Sequence, residues 1–170
     1  MNVGRGCRVL RDVPHEDTKM PRPDLTVYAK DYPEPRLVVE VRSGVSRPYH
    51  QDSAVKQVVR YMWGANCHYG LIITPTETLV LRDDFTTSGP ESIRVAAVLP
   101  TRTLLSRLGR PVPEALTGQQ LEPLAWDWLT RLTASYEAAL PDDPEVQRAF
   151  FPDIVGAVAD GRVVLEAAVG

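Results

Sequence analysis

Apolar and polar positions follow different rhythms along this chain, and each rhythm predicts a different element. Cys7 to Val13 (CRVLRDV) alternates loosely ahead of the polar, proline-bearing PHEDTKMPRP, which predicts a short strand and then a turn. In DLTVYA, Leu25, Val27 and Ala29 alternate with Thr26 and Tyr28 before the turn signal KDYPEP, which predicts a second strand. Arg36 to Arg42 (RLVVEVR) is β-branched and nearly continuous, as a central strand covered on both faces should be, and only Glu40 interrupts it. The short loop between these strands favours an antiparallel pairing.

Helical spacing takes over at Asp52. Ala54, Val55, Val58, Val59 and Met62 fall on one stripe, with Asp52 placed to cap the start and Gly64 beyond the end. Tyr69 to Thr74 (YGLIIT) and Thr78 to Arg82 (TLVLR) are short apolar runs separated by Pro75 and predict two more strands. SIRVAAVLP predicts an edge strand leading to a short helical segment from Thr103 to Leu108, and GRPVPEALTGQQ reads as a connector. Leu121, Leu124, Ala125, Trp128, Leu132, Tyr136 and Leu140 define one long amphipathic helix. Val146, Phe150, Ile154 and Val158 define another, beginning at Pro144 and ending near Gly161.

The expected fold class is therefore α/β: a single domain over 1–170, with a sheet-and-helix core in 1–85 and a mainly helical extension in 86–170 packed on it. A chain of 170 residues with 44% apolar composition is enough for one packed core. No apolar run approaches the roughly 20 residues of a membrane span and the first residues lack a secretory apolar stretch, so a soluble cytoplasmic protein is expected. Cys7, Cys67 and the scattered His15, His50 and His68 form no CxxC or HExxH pattern, which argues against zinc chemistry or a disulfide framework. Cys67 beside His68 and the tryptophans Trp63, Trp126 and Trp128 are read as packing residues.

Charge changes the picture modestly. Net charge is -3, but residues 1–60 hold 11 Lys/Arg against 8 Asp/Glu and residues 61–170 hold 8 against 14. A basic first third can face a polyanion, although no dense Lys/Arg stripe is present. The acidic Asp142, Asp143 and Glu145 read as a favourable helix N-terminus.

The candidate chemistry lies in the paired strands. Asp24 opens one and Glu40 stands near the end of the next, so two carboxylates can converge where a hard divalent cation would need them. Glu40 inside LVVEV is costly to bury unless paired, hydrogen-bonded or metal-bound. Arg42 shares its face and can contact phosphate or pair with Glu40. Gln57 and Tyr61, four apart, share one helix face and can meet a nucleic-acid backbone or position the acids.

RPDLTVY, PRLVVEVRS and AVKQVVRYMWGANCHYGLIIT together, over residues 22 to 83, resemble the PD-(D/E)xK nuclease superfamily, especially the RecB-like and type I restriction enzyme nuclease domains. The resemblance implies a restriction-endonuclease-like mixed central sheet flanked by helices, and a magnesium- or manganese-dependent endonuclease-like hydrolase acting on nucleic acid, with DNA the expected polymer. It implies Asp24, Glu40 and the carbonyl of Val41 as metal ligands, Arg42 at the position of the family lysine, and Gln57 and Tyr61 as the helix motif. Arginine holds its proton too tightly to replace a proton-handling lysine, though it still binds phosphate. The family's leading helix with its glutamate has little room before the first strand, where Glu16 is the sole glutamate. Lys56 could replace the missing lysine but lies about 100° around the helix from Gln57. The alternative expectation is a catalytically impaired nuclease-fold protein serving as a binding or assembly module, with the C-terminal helices as a homodimer or partner surface.

Overall fold

The computed structural model describes residues 22–166. The strand expected over Cys7 to Val13 and the candidate Glu16 lie outside the described residues. A six-stranded mixed sheet forms the centre. In chain order the elements are β1 (Leu25–Tyr28), β2 (Pro35–Val41), α1 (Ser53–Gly64), β3 (Tyr69–Ile73), β4 (Glu77–Asp83), β5 (Ile93–Pro100), α2 (Thr101–Leu104), α3 (Gly118–Ala134), α4 (Tyr136–Ala139), α5 (Pro144–Phe150), α6 (Asp153–Val158) and β6 (Arg162–Leu165). The sheet order is β5-β4-β3-β2-β1-β6. The β2–β3 pair is parallel, with α1 as its crossover, and the other pairings are antiparallel.

The first half follows its sequence pattern closely; the second half departs from it in three places. Residues beyond 86 supply two strands as well as helices: β5 is the expected edge strand, and β6 pairs with β1 to form the opposite edge. The stripe from Leu121 to Leu140 divides at Ser135, whose extended backbone separates α3 from α4. The stripe from Val146 to Val158 divides at Phe151-Pro152, because proline has no N–H to donate within a helix, and gives α5 and α6. Within the connector, Val112 is nonetheless buried in the core.

Alternation along the strands sorts side chains between two layers. Leu25, Val27, Leu37, Val39, Leu71 and Ile73 face α3, α5 and α6, where the rings of Trp128 and Phe150 meet edge to face with centroids 5.6 Å apart. Val38, Ile72, Leu79 and Leu81 face α1, which supplies Ala54, Val55, Val58 and Met62. Each fully buried aliphatic side chain contributes about 1.5–3 kcal/mol relative to exposure. Asp52 caps α1 through Oδ1, which accepts from the N–H groups of Ala54 and Val55. Gly70 lets the helix lie close to the sheet, since a Cβ there would stand 2.7 Å from Met62 Sδ and 3.0 Å from Val58 Cγ1. Of the tryptophans only Trp128 is a core residue; Trp63 and Trp126 are exposed. No helix among the described residues is long and apolar enough to cross a membrane.

Candidate functional site: paired carboxylates at one end of the sheet

The register of β1 and β2 pairs Leu25 with Val39 and Thr26 with Val38. One step further along this antiparallel pair, Asp24 stands opposite Glu40. Because side chains alternate, Thr26, Val38, Glu40 and Arg42 belong to the α1 side of the sheet. Asp24 fastens the end of the sheet on both sides: its carboxylate Oδ2 accepts from Val41 N at 2.8 Å, and its backbone carbonyl accepts from Glu166 N at 2.9 Å. Along a strand, a residue's N–H and C=O point the same way, so the Val41 carbonyl also lies on the Asp24 side. The first turn of α3 abuts this end, with the position of a Cβ on Gly118 only 3.5 Å from the Val41 carbonyl oxygen.

Glu40 is 3% exposed. Its Oε1 pairs with Arg42 Nη2, while its buried Oε2 has no hydrogen-bond partner. Burial is the main reason its carboxyl is pushed up to about 7; the charge of Asp24 adds to the rise and Arg42 opposes it. Arg42 is half-exposed and also donates through Nη2 to Gln57 Oε1 at 3.3 Å. Three expected site residues, Glu40, Arg42 and Gln57, therefore form one connected group with Asp24 across the strand.

Two other expected residues stand apart from that group. Tyr61 belongs with a second polar set on the same face, in which the Tyr28 hydroxyl donates to Glu166 Oε1 and Arg22 approaches Glu166 at 3.9 Å. Burial, then the charge of Glu166, raises the Tyr61 hydroxyl above its ordinary range. Lys56 is exposed and lines a groove on the other flank of α1, beside Tyr49 and Val95. Its position gives it no part in the carboxylate pair.

Sequence reasoning missed Glu122 and Glu166. Glu122, on α3, has its carboxyl raised by burial and next by the charge of Asp24, so a third acid senses the pair. Its sequence context is an ordinary amphipathic helix, and only the docking of α3 against the end of β2 brings it near. Glu166 follows β6, whose pairing with β1 carries it to Tyr28. The Cys67 thiol is buried and pushed up to about 11, chiefly by that burial, which leaves it poorly nucleophilic as the packing assignment requires.

Among the described residues, no group of three or more His, Cys, Asp and Glu side chains is gathered closely enough to hold a metal ion. Magnesium characteristically takes only one or two carboxylates and keeps several waters. The unpartnered Oε2 of Glu40 fits such a ligand, because a cation would satisfy a buried acceptor that the described protein atoms leave open. Comparison with protein-family models, with curated protein sequences and with solved structures finds no match to this chain.

Proposed function

We propose that this chain is a metal-dependent phosphodiesterase of the restriction-endonuclease-like kind, acting on nucleic acid, with DNA as the expected polymer. The observation that carries this reading is the cross-strand pair of Asp24 and Glu40, with Glu40 buried, one oxygen unpartnered and its carboxyl raised first by that burial and then by the like charge of Asp24. Such an arrangement is costly without a cation and is relieved by one. Asp24, Glu40 and the Val41 carbonyl would hold magnesium or manganese, which when bound polarises a phosphate and acidifies a water.

The protein's own groups supply the rest. Arg42, anchored by Glu40 and Gln57, leaves part of its guanidinium toward solvent, where it can take a phosphate oxygen. Asp24 ties strand ends together while presenting carboxylate toward Glu40. Glu122 adds negative charge from the side of α3.

Nicking of supercoiled plasmid DNA with magnesium or manganese tests the proposal. Wild-type protein should nick, and Asp24→Ala and Glu40→Ala should each reduce the rate by about a hundredfold or more. Absence of metal-dependent nicking by the wild type, or equal rates in all three proteins, rejects it. A second reading, a nuclease-fold binding module without catalysis, is favoured by one feature: Arg42 stands at the lysine position and its guanidinium is engaged by Glu40 and Gln57. That reading expects magnesium to leave the melting temperature unchanged.

A further inference from the structure

On the flank of α1 opposite the carboxylates, a half-open groove of about 640 Å³ runs between α1, β5, the 3-10 turn Tyr49–Gln51 and the segment around Pro90. Its walls are mostly apolar, formed by Tyr49, Val55, Val59, Pro90, Ile93 and Val95. Both the size and the lining are those of sites that take small organic molecules.

The walls are fixed before any ligand arrives. The Tyr49 hydroxyl donates to Glu77 at 3.0 Å, which holds one side in place. On the other, Trp63 Nε1 donates to the Ser88 carbonyl at 3.3 Å and Ser92 Oγ to Asp83 at 2.7 Å. A groove with anchored walls binds without a large ordering cost.

The charges at its rim divide into two kinds. Arg47 pairs with Glu77 at 3.4 Å beside the Tyr49 wall, and Arg94, a lining residue, pairs with Asp84 at 2.8 Å. Lys56 and Arg60 are also lining residues, exposed and one turn apart on α1, and have no acidic partner among the described residues. Glu91 is the acid on the lining, and His50 stands at the same rim. Two unpaired cations side by side over an apolar floor are complementary to a molecule with an anionic head and an apolar body.

We propose that this groove binds a small amphipathic organic anion, a carboxylate, sulfonate or phosphate attached to an aromatic or acyl body, with the head between Lys56 and Arg60 and the body against Val59 and Val95. The apolar floor favours this occupant over a nucleic-acid strand, which would use the two cations but gain little from aliphatic walls. The site is separate from Asp24 and Glu40, and the inference does not depend on the phosphodiesterase reading.

The test is a fluorescence titration with 8-anilinonaphthalene-1-sulfonate, followed by competition with decanoate, decylamine and a single-stranded DNA oligonucleotide. Saturable one-to-one binding, displaced by decanoate and not by decylamine, is the expected result. The double variant Lys56→Glu/Arg60→Glu should weaken the probe at least about tenfold with an unchanged melting curve, as loss of a charge-assisted contact would. Val59→Trp, which fills the floor without altering charge, should weaken it similarly, while Glu40→Gln should leave it unchanged. Unsaturable binding, equal affinity in the charge-reversed protein, equal competition by decylamine, or displacement by the oligonucleotide each overturns the proposal.

Discussion

The two faces of the sheet are closed in different ways. Beneath α3, α5 and α6, the strands present Leu25, Val27, Leu37, Val39, Leu71 and Ile73 to a layer of buried aliphatic and aromatic side chains. Beneath α1, the same strands present Val38, Ile72, Leu79 and Leu81 near the middle, but Thr26 and Glu40 toward β1, where both are buried and each has an unpartnered oxygen. One face gains its free energy from apolar burial; the other gives some back at a corner where polar atoms are enclosed without full compensation. Trp128 Nε1 on the α3 side is also enclosed without a partner, so what sets the corner apart is a buried carboxylate oxygen left open beside a second acid, Asp24.

Removing a large side chain from the sealed face should have the largest effect. Phe150 is fully buried and meets Trp128 edge to face. Phe150→Ala should cost about 3–5 kcal/mol, combining lost burial with a cavity that rigid neighbours fill only partly. Chemical denaturation measures it. A loss below about 1 kcal/mol would mean that this layer is less tightly packed than its burial indicates.

How far the sequence displays these faces depends on how local each signal is. β1, β2, α1, β3 and β4 are legible because strand alternation, an uninterrupted β-branched run, a capped helical stripe and proline breaks all lie within a few residues of each other. β6 is not: RVVL is four residues long and its strand partner lies more than a hundred positions earlier, so nothing near Arg162 announces the pairing. The same difference governs the site. Asp24 and Glu40 could be proposed as a pair because their strands are consecutive and antiparallel, and Arg42 and Gln57 followed from face and spacing. Glu122 and Glu166 reach the corner through the docking of α3 and the return of β6, which are tertiary events. The break at Ser135 is hidden for another reason, since apolar spacing continues across it although the backbone helix does not, whereas Pro152 is itself a local break signal standing inside a continuous apolar stripe.

A smaller effect, but one with a sharper pH signature, is expected at the polar corner. Glu40 holds its proton up to about 7 in the folded protein, against 4.5 for an unperturbed glutamate, because burial and Asp24 disfavour its charge. The folded state therefore binds more protons than the unfolded state between those values. Stability should be greatest below the unfolded value, fall as pH rises through about 7, and level off above it, by roughly 1–3 kcal/mol in all. Denaturation midpoints at about pH 5 and about pH 8 read this directly, and Glu40→Gln should remove most of the difference. If wild type and Glu40→Gln change in parallel with pH, Arg42 is compensating Glu40 fully and the contrast between the faces disappears.

The smallest expected effect concerns the helix that separates the carboxylate corner from the apolar groove. Asp52 Oδ1 accepts from the N–H groups of Ala54 and Val55, and Oδ2 accepts from Ser46 N at 2.7 Å, joining the start of α1 to the loop after β2. Asp52→Ala leaves two first-turn donors of the helix and one loop donor to water, and should cost about 1 kcal/mol. Asp52→Asn keeps an accepting oxygen for Ala54 and Val55 but turns an amide NH2, itself a donor, toward Ser46 N, and should recover only part of that loss. Thermal denaturation distinguishes the two substitutions. If asparagine is no better than alanine, the negative charge and the second oxygen that accepts from Ser46 N, rather than the helix-cap hydrogen bonds alone, hold the start of α1 in place.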